Sequence, residues 1–133
     1  MVLVDSMYKD ASRAVRILHK QKELVLVPRN IVEVWVVTTR PKAVNGLGMT
    51  PSRASRYLSK ANSTFPILPD RPGIHREWQR LVLEHGVSGK QAHDTRLVAA
   101  VIVHGIQTIV TFNGSDFQRY AGIRVLHPRE IEA

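Results

Sequence analysis

The fold of this chain is decided by residues 91–112, which read QAHDTRLVAAVIVHGIQTIVTF. The first part predicts a helix from about Gln91 to His104, ended by Gly105, because glycine readily adopts the left-handed conformation that closes helices. The second part, Ile106 to Phe112, is rich in β-branched residues and predicts a strand. A helix that leads straight into a buried strand is the repeating unit of a parallel sheet with helices on both faces.

The rest of the chain repeats this alternation of helices and strands. Further strands are predicted at Val2–Val4, Leu24–Val27, Phe65–Pro69 (as an edge strand) and Ile123–Leu126. Further helices are predicted from Asp10 to about Lys22, after Asn30 as cap to just before Pro41, from Pro51 with Thr50 as cap, and from about Gly73 to Glu84. The sequence therefore predicts an α/β fold: a single domain over residues 1–133, with a parallel β-sheet flanked by α-helices and a first strand that is short or missing.

The composition narrows the class of protein. The chain has no cysteine, which excludes disulfides and thiolate metal sites and suits a cytoplasmic location. No apolar run is long enough for a membrane helix, and the start lacks the pattern of a signal peptide. The formal net charge of +8 attracts polyanions, of which nucleic acid is the commonest, although an acidic protein partner or simple solubility would also explain it.

Acidic and polar residues follow the predicted strands or begin the helices after them. They are Asp5, Glu33, Asp94, Asn113 and Asp116. Ligands of parallel sheets bind beyond the carboxyl ends of the strands, where these residues are expected. Mg²⁺ and Mn²⁺ prefer oxygen ligands, and a bound cation activates water and stabilises charge on a phosphodiester. The pattern favours metal-dependent hydrolysis of a nucleic acid.

Each of these acids also has a structural interpretation. Glu33 has the capping-box spacing from Asn30. Asp94 complements the dipole of its helix, and Asp116 can cap a turn. It is their shared placement that favours a functional site.

Other residues that could act in catalysis or binding also have a structural interpretation. His93, beside Asp94, is more typical of an imidazole packed at a helix start than of a catalytic group. Trp35 and Trp78 lie on helical apolar faces and are interpreted as core or interface. Arg40 and Arg96 can contact phosphate, or lie on solvated helix faces.

Several segments in combination resemble bacterial PIN domains, and more narrowly the VapC-like toxin ribonucleases of toxin–antitoxin systems. They cover roughly residues 24 to 128: 30–33 with Trp35, 39–41, 45–48, 86–90, 93–100 with 104–105, 111–113 and 116–117.

This resemblance implies an endoribonuclease that uses Mg²⁺ or Mn²⁺, commonly pairs as a homodimer and is inhibited by an antitoxin protein. By position, Glu33, Asp94 and Asp116 match the family's second, third and fourth acids and are the predicted catalytic residues. They are also predicted metal ligands, with Asp5 as the first acid. Asn113 matches a polar residue beside the last acid, and we predict that Asn113, Arg96 and Arg40 bind substrate.

The start of the chain departs from the family pattern, which has a strand ending in Asp-Thr-Asn. Either Asp5 is the first acid, or the usual first strand and its acid are lost and Val2–Val4 matches residues that follow them. Loss of that strand favours an alternative function, a catalytically impaired relative that still binds RNA or an antitoxin. A third hypothesis is a structural dimerisation module.

Overall fold

The computed structural model describes residues 1–4 and 11–133 of the protein. Five α-helices are described: α1 Ser12–Lys20, α2 Pro28–Thr39, α3 Pro51–Thr64, α4 Ile74–His85 and α5 Gln91–Val103. The strands are β1 Val2–Leu3, β2 Thr108–Val110 and β3 Arg124–Leu126. The predicted α/β class is therefore confirmed. Asp5 and the predicted helix start at Asp10 lie outside the described residues.

The sheet is parallel, and β1 lies at its centre. Strand β2 pairs with β1 on one side and with β3 on the other. Isolated parallel bridges extend the sheet on the other side of β1, from Val2 to Val25 and from Leu26 to Ile67. The order across the sheet is thus Ile67, Val25–Leu26, β1, β2, β3. The first strand is therefore short but present, because Val2–Leu3 occupies the centre of the sheet.

Alternation along the strands divides the core into two layers. Val2 and Ile109 face the layer formed with α4 and α5, whereas their neighbours Leu3 and Val110 face the layer formed with α1. All four side chains are fully buried. Successive strand residues point to opposite faces, so a sheet covered on both sides requires apolar residues at every position.

Several predicted strands are shorter than expected. Leu24–Val27 and Phe65–Pro69 contribute only the single bridges at Val25, Leu26 and Ile67. The β2 strand begins at Thr108 and not at Ile106. The Ile106 amide donates to the carbonyl of Val101, which is the hydrogen bond of a Schellman helix end.

Local signals for helix ends match the structure closely. The Thr50 hydroxyl accepts from the Arg53 amide at 3.2 Å, with Pro51 as the first residue of α3. Gly86 ends α4 with a positive φ of 58°. In the described part of the chain, no helix is both long and apolar enough to cross a bilayer.

Candidate functional site at the carboxyl edge of the sheet

The carboxyl edge of the sheet receives three segments that carry predicted site residues. The α2 helix begins directly after the bridge at Leu26, so its N-terminal end lies at this edge. The α5 helix leads into the amino end of β2, so its own N-terminal end also lies at the carboxyl edge. The turn after β2 starts from the same edge. Glu33, Asp94 and Asp116 belong to these three segments.

Asn30 fixes the start of α2 to the central strand. Its side-chain oxygen accepts from the Val27 amide at 2.8 Å, and its Nδ2 donates to the Leu3 carbonyl at 3.1 Å. The side chain is buried, with 5% exposed. The helix begins at Pro28 with Val27 as its N-cap, so the prediction that Asn30 is the N-cap is wrong: Asn30 is the third residue of the helix. Glu33 accordingly lies in the second turn of α2 and not in the first.

Glu33 does not form the capping box suggested by its spacing. Its carboxylate accepts from Arg29 at 3.2 Å, and 40% of the Glu33 side chain is exposed. Arg29 lies in the first turn of α2, where the helix dipole disfavours a cation, and a cation placed N-terminal to its acid is the weaker arrangement of an i,i+4 pair. Stabilisation of the helix therefore does not explain why an arginine stands at position 29.

Asp94 lies in the first turn of α5 and is partly buried. Its neighbour Thr95 is fully buried and donates to the Gln91 carbonyl at 3.0 Å. The Tyr120 hydroxyl lies 2.8 Å from the Thr95 hydroxyl. Since Thr95 uses its proton on Gln91, Tyr120 is the donor in this pair. The bond ties the start of α5 to the segment that follows Asp116.

Asp116 ends a 3₁₀ turn over Gly114–Asp116. The Asp116 amide donates to the Asn113 carbonyl at 3.0 Å, and the Asn113 amide donates to the Thr111 hydroxyl at 3.1 Å. Asp116 is partly buried and Asn113 is exposed. Phe117, directly after Asp116, is buried in the core and holds this turn against the sheet.

These acids do not assemble a metal site by themselves. Within residues 1–4 and 11–133, no group of three or more His, Asp or Glu side chains is placed to hold a metal ion. Glu33, Asp94 and Asp116 belong to segments at one edge of the sheet, but the three side chains do not converge as a group that could hold a metal ion. The role of Asp5 stays a prediction.

Arg40 and Arg96, both predicted to bind substrate, lie in different places. Arg40 follows the C-terminal end of α2, away from the carboxyl edge, and donates to the Asn45 carbonyl at 2.9 Å. The loop packs tightly there, because a Cβ atom at Gly46 would clash with the Arg40 carbonyl oxygen. Arg40 thus organises the loop after α2, and its contact with substrate stays a prediction.

Arg96 lines two cavities near the carboxyl edge. We call the first the arginine cavity; it has a volume of about 180 Å³ and is lined by Pro28, Arg29, Val32, Asp70, Arg96 and Ala100. We call the second the aromatic cavity; it has a volume of about 430 Å³ and is lined by His75, Trp78, Ala92, His93 and Arg96. Arg96 reaches Asp70 at 3.4 Å, and both side chains are well exposed.

Two features of this region were not predicted from the sequence. The first is Asp70, which follows the extended segment at Ile67. Its position directly after the predicted strand Phe65–Pro69 is the signal by which the sequence could have indicated a site residue. Trp78 is not simply core: its indole N–H donates to the Ala92 carbonyl at 2.9 Å and its ring faces the aromatic cavity, with the His75 ring stacked 5.8 Å away. His93 is exposed on the same cavity, not packed at the helix start.

We expect Tyr120→Phe to lower the free energy of unfolding by about 1 kcal/mol, because it removes the hydrogen bond to Thr95 and leaves that hydroxyl bonded to Gln91. Urea unfolding followed by circular dichroism measures this. Tyr57→Phe, at an exposed position on α3, is the matched control and should change stability by less than about 0.5 kcal/mol. Equal stability of Tyr120→Phe and Tyr57→Phe would contradict the hydrogen bond assigned between Tyr120 and Thr95.

Comparison with known proteins finds similarity in structure but not in sequence. No protein-family model and no curated protein sequence matches the chain. A chain of VapBC2 from Rickettsia felis, in a complex bound to a DNA fragment from its promoter, matches with a TM-score of 0.66 and 13% identity over 96% of this chain and 98% of that chain. A chain of FitAcB from Neisseria gonorrhoeae matches with a TM-score of 0.65 and 15% identity over 98% and 100%.

A third match comes from VapBC-5 of Mycobacterium tuberculosis, a member of the VapBC family of toxin–antitoxin systems. Its TM-score is 0.62 and its identity 14%, over 95% of this chain and 96% of that chain. Likeness at such identities defines the fold. The predicted resemblance to VapC-like PIN domains is confirmed at that level and extends over nearly the whole chain.

Proposed function

We propose that this protein is an endoribonuclease of the VapC-like toxin type, which hydrolyses RNA phosphodiester bonds with Mg²⁺ or Mn²⁺. The observation that carries the proposal is the meeting of the α2 start, the α5 start and the turn after β2 at one edge of a parallel sheet. The whole-length likeness to chains of toxin–antitoxin complexes supports it. The proposed catalytic residues are Glu33, Asp94 and Asp116.

Basic residues beside the acids suit an RNA substrate. Arg29 and Arg96 line the arginine cavity from α2 and α5, and the whole chain carries a net charge of +8. Guanidinium groups bind phosphate oxygens through paired hydrogen bonds. The Arg96–Asp70 contact is exposed, and such pairs contribute little to stability, so a phosphate can displace Asp70 at low cost.

The metal requirement is the part of the proposal that depends on Asp5. Among the described residues Glu33, Asp94 and Asp116 do not form a group of three placed to hold a cation, so the proposed site combines some of these acids with a ligand outside the described residues. Asp5 follows the central strand β1 in sequence, and it is the proposed ligand.

A catalytically impaired relative that binds RNA or an antitoxin is the second candidate. The Arg29–Glu33 ion pair favours it, because a carboxylate already bound to a cationic side chain is a poorer ligand for a metal. So does the lack of a three-acid group among the described residues.

Incubation of the purified protein with single-stranded RNA separates the two candidates. We expect cleavage with Mg²⁺ or Mn²⁺ and at least a tenfold slower reaction after chelation with EDTA. Direct binding of Mn²⁺, followed by electron paramagnetic resonance, checks the metal without relying on activity. Cleavage unchanged by EDTA would contradict the metal requirement, and RNA binding without cleavage would favour the impaired relative.

We further propose an antitoxin protein as a partner, a homodimer as the assembly, and the cytoplasm as the location. The solved complexes VapBC2 and FitAB support the antitoxin. The exposed apolar residues Val32 and Val36 on α2 and Leu83 on α4 are candidates for contact surfaces. Light scattering should give twice the chain mass of 15.0 kDa, and a mass equal to one chain would contradict the homodimer.

A further inference from the structure

The aromatic cavity has the composition of a site for an unpaired nucleobase. Its walls are the Trp78 and His75 rings, His93 and the Arg96 guanidinium, and no acidic side chain lines it. Single-stranded nucleic acids bind where aromatic faces stack on bases and cations meet the backbone. We propose that this cavity, between α4 and the start of α5, binds one base of the RNA substrate. The inference rests on the proposed function and deepens it.

The orientation of Trp78 is fixed before any ligand binds. Its indole N–H is bonded to the Ala92 carbonyl at 2.9 Å, and one part of its ring packs on the core beside α5. The His75 ring stacks on Trp78 with an interplanar angle of 26°. An aromatic surface held in this way loses little conformational freedom on binding, which favours affinity.

Arg96 connects the base site to the proposed catalytic residues. It lines both the aromatic cavity and the arginine cavity, and the latter contains Arg29, the partner of Glu33. A base in the aromatic cavity therefore places its own phosphate near Arg96, and the adjoining backbone extends through the arginine cavity toward Arg29 and its partner Glu33. The cavity would select unpaired RNA over a duplex, whose bases are already stacked.

Intrinsic fluorescence of Trp78 tests the site directly. The chain has two tryptophans, so Trp35→Phe leaves Trp78 as the only one. Adding Asp94→Asn and EDTA keeps the RNA intact during the titration. The probes are an adenosine RNA hexamer and a hexamer of the same length with abasic riboses, which carries the same phosphates. We expect the RNA to quench Trp78 and to bind about tenfold or more tightly than the abasic hexamer.

Three variants check the assignment. Trp78→Phe, which retains Trp35, should show no quenching. His75→Ala should weaken RNA binding several-fold without changing the affinity for the abasic hexamer, whereas His19→Ala, an exposed histidine on α1, should change neither. Arg96→Ala should weaken the binding of both hexamers. It should also lower the slope of log affinity against log salt concentration by about one, as expected for the loss of one phosphate contact.

Equal affinity for the two hexamers, with unchanged Trp78 emission, would overturn the base site. That result is independent of catalysis, because wild-type cleavage can persist without it. Conversely, quenching by RNA in a protein that never cleaves would support the base site and contradict the proposed nuclease. A response of Trp35 and not of Trp78 would also overturn the assignment.

Discussion

Replacing Asp94 by asparagine is expected to slow RNA cleavage by more than about 100-fold. Asparagine keeps the size of the side chain but removes its negative charge. Asp94 is a proposed metal ligand, and loss of a ligand should cost more than loss of the residues around it, which typically costs about 10–100-fold. The fold should survive, because Asp94 is only partly buried and the α5 start is held by Thr95 and Tyr120. Initial rates on single-stranded RNA at saturating Mg²⁺ measure the effect.

The matched control for this variant is Glu84→Gln, which removes an exposed carboxylate paired with Arg80 on α4. We expect its cleavage rate to stay within about twofold of wild type, because Glu84 lies on the outer helix surface. If Asp94→Asn retained a rate within a few-fold of the control, the proposed role of Asp94 would be wrong. Circular dichroism of both variants separates lost chemistry from lost structure.

Asn30→Ala should lower the free energy of unfolding by about 2–4 kcal/mol, a larger loss than that expected for Tyr120→Phe. The substitution removes the cap on the Val27 amide and the donor to the Leu3 carbonyl, both buried. Loss of a cap typically costs ~1 kcal/mol, and an unsatisfied buried polar group costs about 1–3 kcal/mol. Urea unfolding, with the midpoint and the slope both fitted, gives the change in free energy.

Asn62→Ala is the comparison for this change. Asn62 also donates to a backbone carbonyl, that of Leu58, but it lies exposed on α3. Its loss should cost less than about 0.5 kcal/mol, because water replaces the hydrogen bond. A cost for Asn30→Ala no greater than that of Asn62→Ala would mean that Asn30 does not join α2 to the central strand.

Elements with strong local signals were predicted well from the sequence. The α3 start with Thr50 and Pro51, and the α5 helix ended near Gly105, depend on residues adjacent in the chain. The start of α2 was misplaced because Asn30 is a capping residue type, but its side chain reaches back to Val27 from inside the helix. The nature of the cap depends on the direction of a side chain, which sequence spacing does not give.

For the candidate site, the sequence predicts where the residues lie in the fold but not which contacts their side chains make. The order of helices and strands is enough to place Glu33, Asp94 and Asp116 near one edge of the sheet, since parallel topology sends each helix start there. Whether their carboxylates come close enough for a cation depends on contacts such as Arg29–Glu33, which the predicted capping box did not anticipate. The predicted substrate residues show the same limit: Arg96 lines two cavities, whereas Arg40 bonds to its own loop.

The sequence by itself determined the α/β class and the basic charge of this protein, because hydrophobic periodicity, capping residues and composition are local properties. Only the tertiary structure decided that Val2–Leu3 forms the central strand and that His75, Trp78, His93 and Arg96 line one cavity. The physical reason is distance along the chain. Burial between α4 and α5 brings together side chains from two helices, and no local pattern encodes which of their faces meet.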